Sequence, residues 1–105
     1  MSNDGYRAGT LLDQLRSEAT ELRELAESCG AERLRVFGSV ARREEDERSD
    51  VDVLVVLPRG YDMFGQRLEL VERLERHIGR RVDLVPEHEL DPHLRDSVLR
   101  DATPL

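Results

Sequence analysis

One arrangement constrains this chain more than any other: a strand-like run that stops at Gly38-Ser39, and an acidic pair that opens a second apolar run ten residues later. Arg33 to Phe37 reads as a short strand and ends on Gly38. Glycine has no Cβ, so the backbone there can turn sharply and come close to a ligand. Ser39 is placed to cap the helix that follows, and helix N-termini favour anions, so a phosphate fits this corner. By itself, Gly-Ser after a strand is more often only a turn.

Asp50-Val51-Asp52 then leads into Val53 to Leu57. Residues two apart on a strand share a face, so both carboxylates project together while Val51 and Val53 point the other way. Like charges this close raise each other's pKa. A divalent cation between them relieves the repulsion, and a few carboxylates plus substrate phosphate oxygens suit Mg²⁺. A solvated acidic turn at the end of the charged run Arg42 to Asp50 is the plainer alternative. A third short strand, Arg80 to Pro86, carries Asp83. If it pairs beside Val53 to Leu57, Asp83 completes a three-carboxylate cluster, and two ions about 3.5–4 Å apart could clamp an in-line phosphoryl displacement. Otherwise Asp83 is a surface residue paired with Arg81.

Gly38-Ser39, Ala41-Arg42 and Asp50-Val51-Asp52 at this spacing resemble the minimal nucleotidyltransferases of the DNA polymerase beta superfamily, over roughly Leu34 to Leu99. Small members of that family pair with a HEPN-domain toxin and act as its antitoxin. The resemblance implies transfer of AMP from ATP to a hydroxyl, a tyrosine of the HEPN partner in the toxin-paired members. It implies Asp50, Asp52 and Asp83 as catalytic and metal-holding residues, with Mg²⁺ (two ions, or Mn²⁺), and Gly38 and Ser39 as the phosphate-binding pair. Arg42 is a candidate for a phosphate contact or for a surface ion pair with Glu44 to Asp46. One position departs from the pattern: the family usually has glycine after Ala-Arg, and this chain has Arg43. Two other functions stay open, an antitoxin that neutralises by binding alone and nucleotidyl transfer to a small molecule.

A chain of 105 residues supports one modest core. The formal net charge is −7, and every basic residue other than histidine is arginine. Gripping a nucleic-acid backbone needs clustered positive charge, so a nucleic-acid partner is not expected. Cys29 is the single cysteine, which excludes an intrachain disulfide. No signal peptide or long apolar run is visible, so a cytoplasmic protein without membrane contact is expected.

The remaining pattern predicts α/β architecture, a short sheet of three or more strands covered by helices; the third strand could pair either way, and the family resemblance implies a mixed sheet. Residues 1–9 read as a flexible N-terminus and 10–105 as the nucleotidyltransferase domain. Thr10 to Asp13 resembles a capping box. Leu11, Leu12, Leu15, Ala19, Leu22, Leu25 and Ala26 recur at helical spacing, predicting a helix of about five turns that Gly30 stops. Glu44 to Ser49 reads as a solvated loop and Pro58-Arg59-Gly60 as a turn. Asp62 is placed to cap a second helix, whose predicted buried stripe is Phe64, Leu68, Val71, Leu74 and Ile78, with Glu69–Arg73 and Glu72–Arg76 as supporting pairs. Asp91-Pro92 opens a final short helix. His88 and His93 lie among acidic residues at a spacing that fits no standard zinc pattern.

Overall fold

In the computed structural model, residues 10–58 and 65–105 are described; the expectations for residues 1–9, the Arg59-Gly60 turn, Asp62 and Phe64 lie outside them. The chain starts as the capping box predicts. Thr10 Oγ1 accepts from the Asp13 N–H at 3.2 Å, and Asp13 Oδ2 accepts from the Thr10 N–H at 3.4 Å. The predicted single helix is two: α1 (Leu11–Ser17) and α2 (Ala19–Ser28), separated at Glu18. No proline or glycine causes the break. The Glu18 N–H is shared between Gln14 O and Leu15 O, a tightened turn, while the Glu18 side chain meets His77 Nε2 at 2.9 Å on a distant helix. The interruption thus coincides with a tertiary contact, which local periodicity does not encode.

The sheet is mixed, as expected; among the described residues it has four strands, β1 (Glu32–Phe37), β2 (Val51–Val56), β3 (Val82–Pro86) and β4 (Thr103–Pro104), in the order β3-β2-β1-β4. β1 and β2 are antiparallel; β2 and β3 are parallel. The two-residue β4 lies antiparallel to β1. Period-two alternation sorts the strands into two faces. Leu34, Val36, Val51, Val53, Val55, Val82 and Leu84 join Leu12, Leu15, Leu22, Leu70 and Leu74 in one buried cluster. The opposite face carries Asp52 and Asp83, and beyond them the fully buried Leu54.

Helix α4 (Gly65–Ile78) covers the core face through Leu70 and Leu74, with Val71 and Ile78 packed partly against it. Leu68 is 60% exposed, against expectation. At 3.6 residues per turn it sits about a third of a turn from the line through Leu70, Leu74 and Ile78. The Glu69–Arg73 pair forms at 2.7 Å. Two α4 side chains also close the outer edge of β3: Glu75 Oε2 accepts from the Val82 N–H at 2.9 Å, and Arg67 Nη2 donates to Leu84 O at 3.1 Å.

After β3 the chain makes a 3-10 turn (Glu87–Glu89) and then α5 (Pro92–Asp101), capped by Asp91, whose Oδ1 accepts from the His93 N–H. The turn lies against β2 and α5 against β1. Arg35, buried on β1, forms an ion pair with Glu87, which Arg95 of α5 approaches at 3.6 Å. Among the described residues no helix is long and apolar enough to cross a membrane.

Candidate functional site

The register of the sheet brings the predicted carboxylates together. Phe37, Asp52 and Asp83 stand opposite one another across β1, β2 and β3. Gly38 follows Phe37 directly, at φ +71°, in the left-handed region that a side chain disfavours. A Cβ on residue 38 would overlap Asp52 Oδ2 and lie 3.2 Å from Asp52 Cγ. The backbone thus passes against the Asp52 carboxylate as closely as a glycine permits.

The short helix α3 (Gly38–Ala41) begins two residues earlier than a Ser39 cap requires. Phe37 is its N-cap and makes no side-chain capping bond. Ser39 lies inside the first turn, partly buried, with its carbonyl accepting from the Glu44 N–H at 2.8 Å. The corner therefore offers a hydroxyl and the N–H groups of a single turn.

Asp52 is half-buried, whereas Asp50 and Asp83 are exposed. Burial, then the charge of Asp83, then that of Asp50 raise the Asp52 pKa, and the charge of Arg42 draws it part of the way back. The carboxylates therefore sense one another, yet among the described residues no three His, Cys, Asp or Glu side chains converge into a finished metal-holding group. Geometry and electrostatics are reconciled by Asp50, whose Oδ1 is turned to Arg81 Nε at 3.4 Å. Arg81 thus pairs with Asp50 rather than with Asp83. The donor set is hard oxygen, and the Asp83 and Asp50 charges still act on Asp52, which fits Mg²⁺ with the remaining ligands drawn from a substrate phosphate.

Arg42 makes the ion pair with Glu44, Nε to Oε1 at 3.0 Å, and a second one with Asp101 of α5, Nη1 to Oδ2 at 2.7 Å. Sequence gave no hint of the second, because 59 residues separate the partners. Arg43, where the family usually has glycine, adopts φ +60° and so takes the backbone conformation that glycine would supply. Its guanidinium holds Thr10 Oγ1 at 2.6 Å and Asp13 Oδ2 at 2.9 Å. The run Glu44 to Ser49 is mostly exposed, as expected of a solvated loop, but it is not loose. Arg80 Nη1 donates to Asp46 O at 2.8 Å and Ser49 O at 3.1 Å, and Asp46 Oδ1 accepts from the Arg48 N–H. A cleft of about 370 Å³ opens between this loop and the turn before β3, with Asp50, Arg48, Arg80 and Arg81 among its walls. A second cleft, of about 710 Å³, lies among α2, β1 and β4; none of the three carboxylates lines it.

The nucleotidyltransferase domain family matches residues 15–104 of this chain. The chain is 40% identical over 79 residues to the protein adenylyltransferase MntA of Thermococcus cleftensis, covering 75% of this chain and 79% of that one. It is 38% identical over 68 residues to a Methanocaldococcus jannaschii protein that also carries a protein adenylyltransferase name, covering 63% of this chain and 68% of the relative. A solved structure described as a minimal nucleotidyltransferase superposes with a TM-score of 0.79 at 45% identity, over 90% of this chain and 95% of the other. The fold also matches that of a toxin–antitoxin structure with AMP-PNP, at a TM-score of 0.68 and 22% identity, over 82% of this chain and 70% of that one. A glycine corner against a strand carboxylate, a second carboxylate in register beside it, and a family match over most of the chain converge: this protein is a member of the nucleotidyltransferase domain family.

Proposed function

We propose that the chain transfers AMP from ATP to a hydroxyl of a protein acceptor, a tyrosine of a cognate HEPN-domain toxin, and works in the cytoplasm as that toxin's antitoxin. The observation that carries this reading is the Gly38–Asp52–Asp83 arrangement, in which a phosphate corner adjoins one carboxylate and a second carboxylate lies on the far side. The protein adenylyltransferase names of the relatives support a protein acceptor, and the toxin–antitoxin fold neighbour supports the partner class.

Residue roles follow from position. Gly38 N–H and Ser39 hold the end of the triphosphate that departs as pyrophosphate. Asp50 and Asp52 hold the divalent ions, with Asp83 as a third oxygen donor. Bound there, Mg²⁺ neutralises phosphate charge and polarises the phosphorus centre. The acceptor oxygen forms a bond to the α-phosphorus as the bond to the bridging oxygen of pyrophosphate breaks. Asp83, exposed on the β3 side, takes the hydroxyl proton.

The test is radiolabelled AMP transfer to a HEPN protein encoded beside this chain, using purified components. The reading requires label on a tyrosine, loss with chelator, and loss in Asp50→Asn and Asp52→Asn. An Asp50→Asn chain that still neutralises the toxin in cells would assign the antitoxin action to binding alone.

A further inference from the structure

Arg42 closes the single turn of α3, its N–H donating to Gly38 O at 3.1 Å, and its side chain is half exposed. Two of its corners are held by carboxylates, Nε by Glu44 and Nη1 by Asp101, while Nη2 makes no hydrogen bond among the described residues. The two holders are not equivalent. Glu44 is two residues away and its side chain is 64% exposed, whereas the Asp101 side chain is 24% exposed and belongs to a distant element. Asp101 is itself fixed. Its carbonyl accepts from Thr103 Oγ1 at 3.1 Å, and Thr103 and Pro104 pair with Val36 and Arg35 of β1.

We propose that Asp101 is a positioning residue that fixes the plane of the Arg42 guanidinium so that its free Nη2 edge meets the triphosphate of the bound nucleotide. This inference rests on the nucleotidyltransferase reading above. A guanidinium is a rigid planar fork, and a bond at Nη1 together with one at Nε sets its orientation. Rotamer freedom that Arg42 would otherwise lose when nucleotide binds is already lost in the folded chain, so affinity rises without a new contact to the ligand. Anchoring Asp101 through the sheet makes this orientation a property of the fold rather than of the exposed loop. A carboxylate that merely competed with phosphate for Arg42 would act with the opposite sign, and removing it would tighten binding.

Calorimetry on the full chain with Mg²⁺ and a non-hydrolysable ATP analogue separates these roles. Asp101→Asn is expected to weaken binding roughly threefold, the scale of a half-exposed ion pair. Asp101→Glu should recover part of the loss, and Arg42→Lys, which keeps the charge but not the fork, should reproduce it. In Arg42→Ala, which binds more weakly than the parent, adding Asp101→Asn should change nothing further. In transfer assays Asp101→Asn should raise the KM for ATP and leave kcat nearly unchanged, whereas a loss of folded protein would lower the active fraction and hence the apparent kcat. Unchanged or tighter binding in Asp101→Asn, with Arg42→Ala weakened, overturns the proposal alone. Unchanged binding in Arg42→Ala removes Arg42 from the phosphate and overturns it too. A parent chain that binds no nucleotide in Mg²⁺ overturns the underlying reading itself.

Discussion

Gly38 leaves no room for a side chain against Asp52: any Cβ at position 38 meets the Asp52 carboxylate, and the backbone there sits at φ +71°. Gly38→Ala therefore carries two faults, a left-handed alanine and an overlap with the half-buried carboxylate. The expected stability loss is about 1–3 kcal/mol, read as a shift in the urea midpoint. Transfer should fall further than stability suggests, by about 10²-fold, because a catalytic carboxylate displaced by an ångström loses its geometry. An alanine variant with parental transfer would show that the close approach has no catalytic purpose.

Asp83→Asn tests the far side of the site. Much of the ATP binding should remain, since the phosphate corner and the Asp50/Asp52 pair are intact. Transfer should drop about 10²–10⁴-fold, the usual contribution of a general base. The same substitution removes the largest charge that raises the Asp52 pKa, so Asp52 should titrate lower in the variant. NMR of the Asp52 carboxyl carbon in parent and variant measures that change directly, without any substrate.

Asp13 is held at a pKa of about 2, below its ordinary 3.8, chiefly by the Arg43 hydrogen bond. A depressed folded value means that the Asp13 contribution to stability is present above about pH 4 and lost as pH falls through about 2. Arg43→Ala should return the Asp13 titration toward 3.8 in an NMR titration. The stability difference between parent and Asp13→Asn should shrink over the same interval of pH. An Asp13 titration that ignores Arg43→Ala would mean that the guanidinium is not its partner in solution.

The Arg35–Glu87 pair joins buried β1 to the turn after β3, with Arg95 nearby. Glu87→Ala leaves the Arg35 charge buried without its partner, at an expected cost of about 2 kcal/mol. Replacing both residues by leucine should recover most of that loss, because breaking a buried pair costs more than removing it whole. Urea unfolding of the three variants decides. A double variant as unstable as Glu87→Ala would point to packing rather than charge.

The first three strands, the capping box at Thr10 and the Asp91-Pro92 helix start were legible because each is written in adjacent residues, whereas the two-residue β4 was not. The rung that carries Asp52 and Asp83 was only half legible. Alternation placed each carboxylate on a face, but whether β3 paired beside β2 rests on long-range register. The break at Glu18 and the exposure of Leu68 were not legible: no proline or glycine marks the first, and the exact helical phase decides the second. Arg43 looked like a departure from its family, and its backbone nevertheless adopts the conformation that glycine would supply. Asp101 left no trace in the sequence, being one acidic residue among many, distinguished only by what it reaches.

The covered edge of β3 has a consequence for how this small chain meets other molecules. With the Val82 N–H and the Leu84 carbonyl occupied by Glu75 and Arg67, and with Pro104 lacking a donor on the opposite strand, the sheet offers little template for an incoming extended segment. A partner that recognised this protein by strand addition would first have to displace two helix-borne side chains. Recognition is thus steered toward helix surfaces and loops. The same protection disfavours edge-to-edge stacking of copies, so even an abundant pool of this chain should resist fibril growth.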